Sequence, residues 1–310
     1  MDILVNIFNY SRSVSVVNKT FYDELGIKSN IDFYGKRYPT TGHKKKYDVI
    51  IFHSQLTRGR NAVKDFGAQG FKVLVALDWI VYFESTVVFC KYFKIDMILS
   101  TSDHRLEEYR QALKIPVVFM PWSVDNNIFQ DYGLEKKYDI AAIGTTTNSS
   151  YDLRAEAVRM IEQYFPNSVI GTKGRTIGKI RKKYREDISR HPIGAIPYNT
   201  AKAFNQSRIG ICIPAFVKMR FLIKKFFEIP ACRTMLMCVG ANSLNHIFSD
   251  GEECVMFKED LSDFREKCEY YLKNESERAR ITDNAYNKIM SKHTHKIRSE
   301  EFIKIFKEHI

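Results

Sequence analysis

The sequence predicts an α/β protein made of two successive doubly wound units, each a parallel sheet covered by helices. Three observations point there. Short, β-rich apolar runs alternate with longer amphipathic stretches, the pattern of buried parallel strands joined by crossover helices. The runs form two series, and 310 residues is about twice a typical domain of ~150, which suits two units better than one sheet of eleven strands. Between the series, residues 126–137 are polar, with Gly133 and the charged cluster Glu135-Lys136-Lys137, as an inter-domain linker would be.

The first series comprises Ile3–Phe8, Asp48–His53, Val73–Leu77, Met97–Ser100 and Val117–Met120. The second comprises Asp139–Gly144, Ser168–Ile170, Gly194–Ile196, Ile209–Ile213, Thr234–Val239 and Cys254–Phe257. The expected organisation is therefore an N-terminal unit over 1–135, a second unit over 136–295, and a tail helix over 296–310. That tail places Ile297, Phe302, Ile305, Phe306 and His309 on roughly one face, so it should pack back onto the protein.

Composition narrows the function. With 45% hydrophobic and 27% charged residues the chain is ordinary globular material. The most apolar stretch, Val73–Phe83, is interrupted by Asp78 and falls short of the ~18 residues of a spanning helix. Met1–Asn6 lacks a basic n-region and reads as a first strand, which makes a cytoplasmic location the default expectation. The six cysteines (Cys90, Cys212, Cys232, Cys238, Cys254, Cys268) show no C-x-x-C spacing and sit mostly in apolar runs, so they read as reduced core residues. The net charge of +12 has an address. Gly171–Phe226 holds fourteen Lys and Arg against Glu186 and Asp187, which accounts for the whole excess and implies a local anionic partner.

Several familiar motifs fail. Neither Rossmann-like unit opens with G-x-G-x-x-G, which disfavours an NAD or FAD enzyme. Gly174–Ile180 has three residues between its glycines and no Ser or Thr after Lys179, so it is not a P-loop. D-x-D and H-E-x-x-H are absent, and His293-Thr294-His295 has no recognisable further ligand beside it, so no metal is expected.

The informative stretch runs from Lys224 to Val239: a helical turn carrying Lys225 and Glu228, then a buried strand. Spacing i, i+3 places these two side chains on one helix face. On its own this is also what a solvated ion pair looks like. The stretch resembles the donor-site signature of GT-B glycosyltransferases, in particular the CgeB-like branch, whose members carry Arg/Lys-x-Phe-Glu-x-x-Ala-Cys-Gly before an apolar strand. Other segments resemble that family in the same order. They are Pro121-Trp122-Ser123-Val124-Asp125 with Phe129; Asp139-Ile140 to Gly144-Thr145, then Tyr151 to Arg154; Tyr198 to Ile211; Gly251 to Phe257; and His293-Thr294 with Arg298. Together they cover about residues 96 to 298, and the first ~95 match only in their α/β pattern.

The resemblance implies two doubly wound Rossmann-like domains with a cleft between them, and a UDP- or GDP-linked sugar donor as substrate without a further cofactor. Glu228 would accept hydrogen bonds from the ribose hydroxyls while Lys225 neutralises the diphosphate. Gly144, Thr145 and Thr146 would offer donors at the start of a helix, unless they are only a capped turn. Lys173 or Arg175 would add a phosphate contact or form a solvated basic loop. Ile196-Pro197-Tyr198 would wall the nucleobase or simply pack, and Asn242 would approach the sugar or phosphate. Two departures matter. Arg233 replaces the family's Gly at a helix end where positive φ is usual, so the turn must differ or be strained. Arg220 stands where retaining enzymes place a first Glu, eight residues before Glu228, which leaves the stereochemistry open.

An inverting reaction needs a base in the N-terminal unit. Asp78, following a strand end, is the first candidate; His53 and Glu84 are alternatives, and for each the plainer reading is a cap or a hydrogen-bonded structural residue. Lys179, Arg181, Lys182, Lys183 and Arg185 exceed the charge one diphosphate requires. They read as a solvated helix face, as a dock for anionic lipid at the inner membrane surface, or as the seat of an anionic acceptor such as DNA or a phosphate-bearing or lipid-linked glycan. No obligate protein partner is implied. The expected activity is glycosyl transfer to an unidentified acceptor. A nucleotide-sugar epimerase or hydrolase of the same fold, or a non-enzymatic basic module binding nucleic acid or membrane, are the alternatives.

Overall fold

The structure is a computed structural model that describes residues 1–6, 21–34, 46–53, 68–76, 82–146, 152–171, 195–214, 222–240 and 242–310. It divides into two compact units, Met1–Pro121 with His295–Ile310, and Trp122–Thr294.

Among the described residues the first unit is built on six parallel strands: β1 (Asp2–Asn6), β2 (Asn30–Tyr34), β3 (Lys46–His53), β4 (Gln69–Ala76), β5 (Met97–Ser100) and β6 (Val117–Phe119), in the order β2-β1-β3-β4-β5-β6. Central strands bury both faces: Met97–Ser100 is buried throughout, as is Val73–Ala76 at the end of β4. β2 is the strand that apolar pattern misses. It lies at the sheet edge, where Asn30 is exposed and Ile31 only half-buried, so it forms no continuous apolar run. Helices α1 (Phe83–Phe93) and α2 (Leu106–Leu113) belong to this unit.

Among the described residues the second unit has five parallel strands: β7 (Tyr138–Ile143), β8 (Val169–Gly171), β9 (Ser207–Cys212), β10 (Met235–Val239) and β11 (Val255–Phe257), ordered β11-β10-β9-β7-β8. Helices α3 (Asp152–Tyr164), α4 (Ala195–Asn205), α5 (Lys225–Ala231), α6 (Phe264–Lys273) and α7 (Glu275–Lys292) accompany it, with a 3-10 turn over Asn242–His246. Ile140, Ile209, Ile211, Met235 and Met237 from the strands meet Ile161, Phe264 and Ile281 from the helices in one core. Of Gly194–Ile196, expected as a strand, Gly194 lies outside the described residues and Ala195–Ile196 are helical. Ala195 and Ile196 begin α4 with Pro197 third, inside the first turn, where a missing N–H costs no helical hydrogen bond.

The polar stretch before β7 is not a free linker. Trp122 donates its indole N–H to the Leu222 carbonyl at 2.9 Å, Asn205 accepts the Tyr132 backbone N–H at 2.8 Å, and Lys136 donates to the Arg233 carbonyl at 2.8 Å. These bonds tie 122–137 to the second unit, so the division falls at Pro121 and not near residue 135. The last helix, α8 (His295–His309), completes the first unit. Phe302 packs on Phe21 at 4.9 Å and on Phe306 at 5.6 Å between ring centroids. Its buried stripe is His295, Arg298, Ser299, Phe302 and Phe306. His309, expected on that face, is exposed, because the stripe is rotated by about one residue from the apolar pattern. Among the described residues no helix is long and apolar enough to cross a membrane.

Candidate active site

In the second sheet β8 lies on one side of β7 and β9 on the other, so the connections leaving these neighbours diverge and open a crevice at their carboxyl ends. Register runs to Ala142 opposite Ile211. Beyond it come Gly144-Thr145-Thr146 on one side and Ile213-Pro214 on the other. The Gly144 N–H is already donated to the Gly171 carbonyl at 2.9 Å, which leaves Thr145 and Thr146, both half-buried, as the donors this turn can present.

Arg154, in the first turn of α3, closes the crevice floor. Its Nε (2.9 Å) and Nη2 donate to the Ile213 carbonyl, and Nη1 donates to the Thr145 carbonyl at 2.8 Å. Gly144 leaves the room for this. A Cβ there would lie 2.8 Å from Arg154 Nη1, a guanidinium nitrogen that its hydrogen bonds hold in place.

α5 enters the same edge. It can lie close on β9 because Gly210 has no side chain: a Cβ at Gly210 would stand 2.6 Å from Ile229 Cγ2. Phe226, Phe227, Ile229, Pro230 and Ala231 are all buried, so Lys225 and Glu228, both half-buried, share the one stripe left open. Burial holds the Glu228 carboxyl above its usual range, against the opposing pull of Lys225 and then Lys224. Among the described residues Glu228 makes no side-chain hydrogen bond or ion pair. Cys212, the last residue of β9, shows that these groups are neighbours. Burial pushes its thiol up to about 12, Lys225 and Arg154 pull it back, and Glu228 adds to the rise, so all three lie within its electrostatic reach. Lys224 Nζ sits 4.8 Å from the ring centroid of Trp122, a cation–π contact that holds it at the start of α5.

Arg233 does adopt the strained turn its sequence position implies. Its φ is 50°, and the guanidinium is held by Asp283 at 2.9 Å and by Asp131 at 3.5 Å. Tyr198 is half-buried on α4, edge-on to Tyr132 at 5.7 Å with Lys202 Nζ 4.9 Å from its ring centroid. Asn242 opens the 3-10 turn after β10; only its backbone is described. His53 ends β3, likewise as backbone alone. Glu84 is exposed in the first turn of α1, within electrostatic reach of Arg105. Asp78, Lys173, Arg175, Arg220 and the cluster Lys179, Arg181, Lys182, Lys183 and Arg185 lie outside the described residues. The structure thus brings together Gly144, Thr145, Lys225 and Glu228. It adds Arg154 and the Trp122–Lys224 pair, whose sequence signals were the Y-x-x-R and P-W-S-V-D segments.

Two parallel α/β units with this strand order and a carboxyl-edge crevice define a GT-B fold. Comparison with known proteins agrees. Residues 154–304 match the family described as glycosyl transferase-like. The chain is similar in structure to HepE of Anabaena, solved with UDP and glucose, at a TM-score of 0.66 and 10% identity over 99% of this chain and 100% of that one. It is similar to sucrose-phosphate synthase from Thermosynechococcus elongatus at 0.67, 10% identity, over 99% and 98%. A glycosyltransferase from Rickettsia africae gives 0.61, 11% identity, over 99% and 98%. No curated protein sequence matches.

Proposed function

We propose that the protein is a glycosyltransferase of the CgeB-like branch that moves a sugar from a nucleoside-diphosphate donor to a separate acceptor. The observation that carries this reading is Glu228. A carboxylate held in a crevice at the carboxyl edge of a doubly wound sheet, without a hydrogen-bond partner among the described residues, has acceptor capacity waiting for hydroxyl donors. A ribose supplies two such hydroxyls side by side. Lys225 on the same stripe, with Arg154 within reach, sets positive charge where a leaving diphosphate accumulates negative charge. In this reading protein cations and the hydroxyls of Thr145 and Thr146 hold the diphosphate, and no further cofactor takes part. The solved complexes of HepE with UDP and with UDP-glucose support the donor class. If the reaction inverts, the acceptor proton goes to a base, for which Asp78, His53 and Glu84 are the candidates. An anionic acceptor is suggested by the charge of Gly171–Phe226.

A thermal-shift series with UDP, GDP, ADP and CMP tests the proposal. One nucleoside diphosphate should raise the midpoint, and Glu228→Ala should abolish that rise. Absence of any shift across the series would overturn it. Turnover of the sugar nucleotide with no acceptor present would instead identify a hydrolase or epimerase of the same fold.

A further inference from the structure

We infer that Arg154 is a positioning residue for the diphosphate, acting as a tie between the two strands that flank the crevice; the inference rests on the donor-site reading above. One guanidinium spans the switch point: two of its nitrogens bind the carbonyl that follows β9 and a third binds the carbonyl in the turn that follows β7. β7 and β9 cease to pair beyond Ala142 and Ile211, so these bonds replace the ladder where it ends. Two consequences follow from this geometry. The tie fixes the spacing of Thr145 from the start of α5, because Ile213 continues the strand on which α5 is seated through Gly210. It also places a permanent positive charge which, like that of Lys225, lies within electrostatic reach of Cys212. Lysine cannot reproduce the arrangement, since one ammonium on a flexible stem does not offer the planar fork that holds two carbonyls at once.

The packing around Gly144 supplies an independent handle. A methyl group there would meet Nη1 at 2.8 Å and displace the tie without touching its charge, and at the Gly144 φ of 158° it would also strain the turn itself. Gly144→Ala and Arg154→Lys should therefore have the same effect, and the double variant should be no worse than either single one.

The experiment measures dissociation constants by calorimetry for UDP and UMP, with GDP and GMP as a second pair, on the full chain and on Arg154→Lys, Gly144→Ala and the double variant. Glu228→Ala serves as a control. The expected result is a loss of roughly tenfold for the diphosphate with little change for the monophosphate, shared by both single variants and not deepened in the double. Equal weakening of diphosphate and monophosphate, or additive losses in the double variant, would reduce Arg154 to a general structural role and overturn the inference. Unchanged diphosphate affinity in Arg154→Lys, with Glu228→Ala still impaired, would overturn it while leaving the donor site standing. If the unaltered protein bound none of the four nucleotides, both readings would fall together.

Discussion

The two edges of the second sheet treat charge in opposite ways. At the amino edge, where β7, β9 and β10 begin, charged groups are neutralised or capped by the protein. Arg233 is held by Asp131 and Asp283, Arg208 meets Asp139 at 3.2 Å, and Lys136 caps the Arg233 carbonyl. At the carboxyl edge Arg154 is spent on carbonyls, Lys224 on an indole, and Glu228 keeps its carboxylate unmatched among the described residues. One short helix, α5, reaches from the second environment to the first. A protein that pairs its charges at one end of a sheet and leaves the Glu228 carboxyl without a hydrogen bond or ion pair among the described residues at the other has given up stability there, which is how binding sites differ from structural rims.

The contrast can be broken most forcefully at Glu228. Glu228→Ala should weaken nucleoside-diphosphate binding by roughly 10- to 100-fold, the worth of one or two hydrogen bonds to a charged group, measured by calorimetry. The free protein should respond the other way. Because burial raises the Glu228 carboxyl above the ordinary 4.5, the folded state holds its proton longer than the unfolded chain does. Stability then falls as pH rises from 4.5 through the raised value, and Glu228→Gln should remove that decline in a urea-midpoint series. A midpoint profile identical in the two proteins would show that the carboxylate carries no such penalty.

Gly210→Ala is the next largest effect. Overpacking against Ile229 should cost about 1–3 kcal/mol in chemical denaturation and, by shifting α5, weaken nucleotide binding as well. Arg233 should affect stability alone. Arg233→Gly removes the positive-φ strain while losing ion pairs that are half-exposed and worth little, whereas Arg233→Ala keeps the strain and loses the pairs. The glycine variant should exceed the alanine variant by about 1 kcal/mol, with equal nucleotide affinity in both. The smallest effect concerns Lys136, whose ammonium burial lowers from 10.5 to about 8. Between these values the unfolded chain binds more protons, so stability should rise as pH goes from about 8 to 10.5. Lys136→Met should lack the rise.

Much of this contrast is written locally in the sequence. Central strands announce themselves because both faces are buried, and Lys225 and Glu228 because their helix hides every other side chain. The Arg233 turn is visible as a missing glycine. What escaped depends on tertiary context. Edge strand β2 has no apolar run to betray it, and Gly194–Ile196 is too short a run to separate a strand from a helix start. Arg154 belongs to a recognisable segment, yet its partner Ile213 is 59 residues away and binds through its backbone, which no side-chain pattern encodes. The availability of Gly144's N–H is likewise decided by a neighbouring strand, at Gly171.

The division of the chain at Pro121 and Thr294 bears on the order of assembly during synthesis. Residues 122–294 form one uninterrupted stretch whose ends meet where Val124 pairs with Thr294. This stretch can therefore complete its sheet without the residues that follow Thr294. The unit that begins first must wait, because Phe21 finds Phe302 only after the last helix has emerged. Phe21 is thus sealed only once α8 has docked, and until then its apolar surface is a natural client for chaperones.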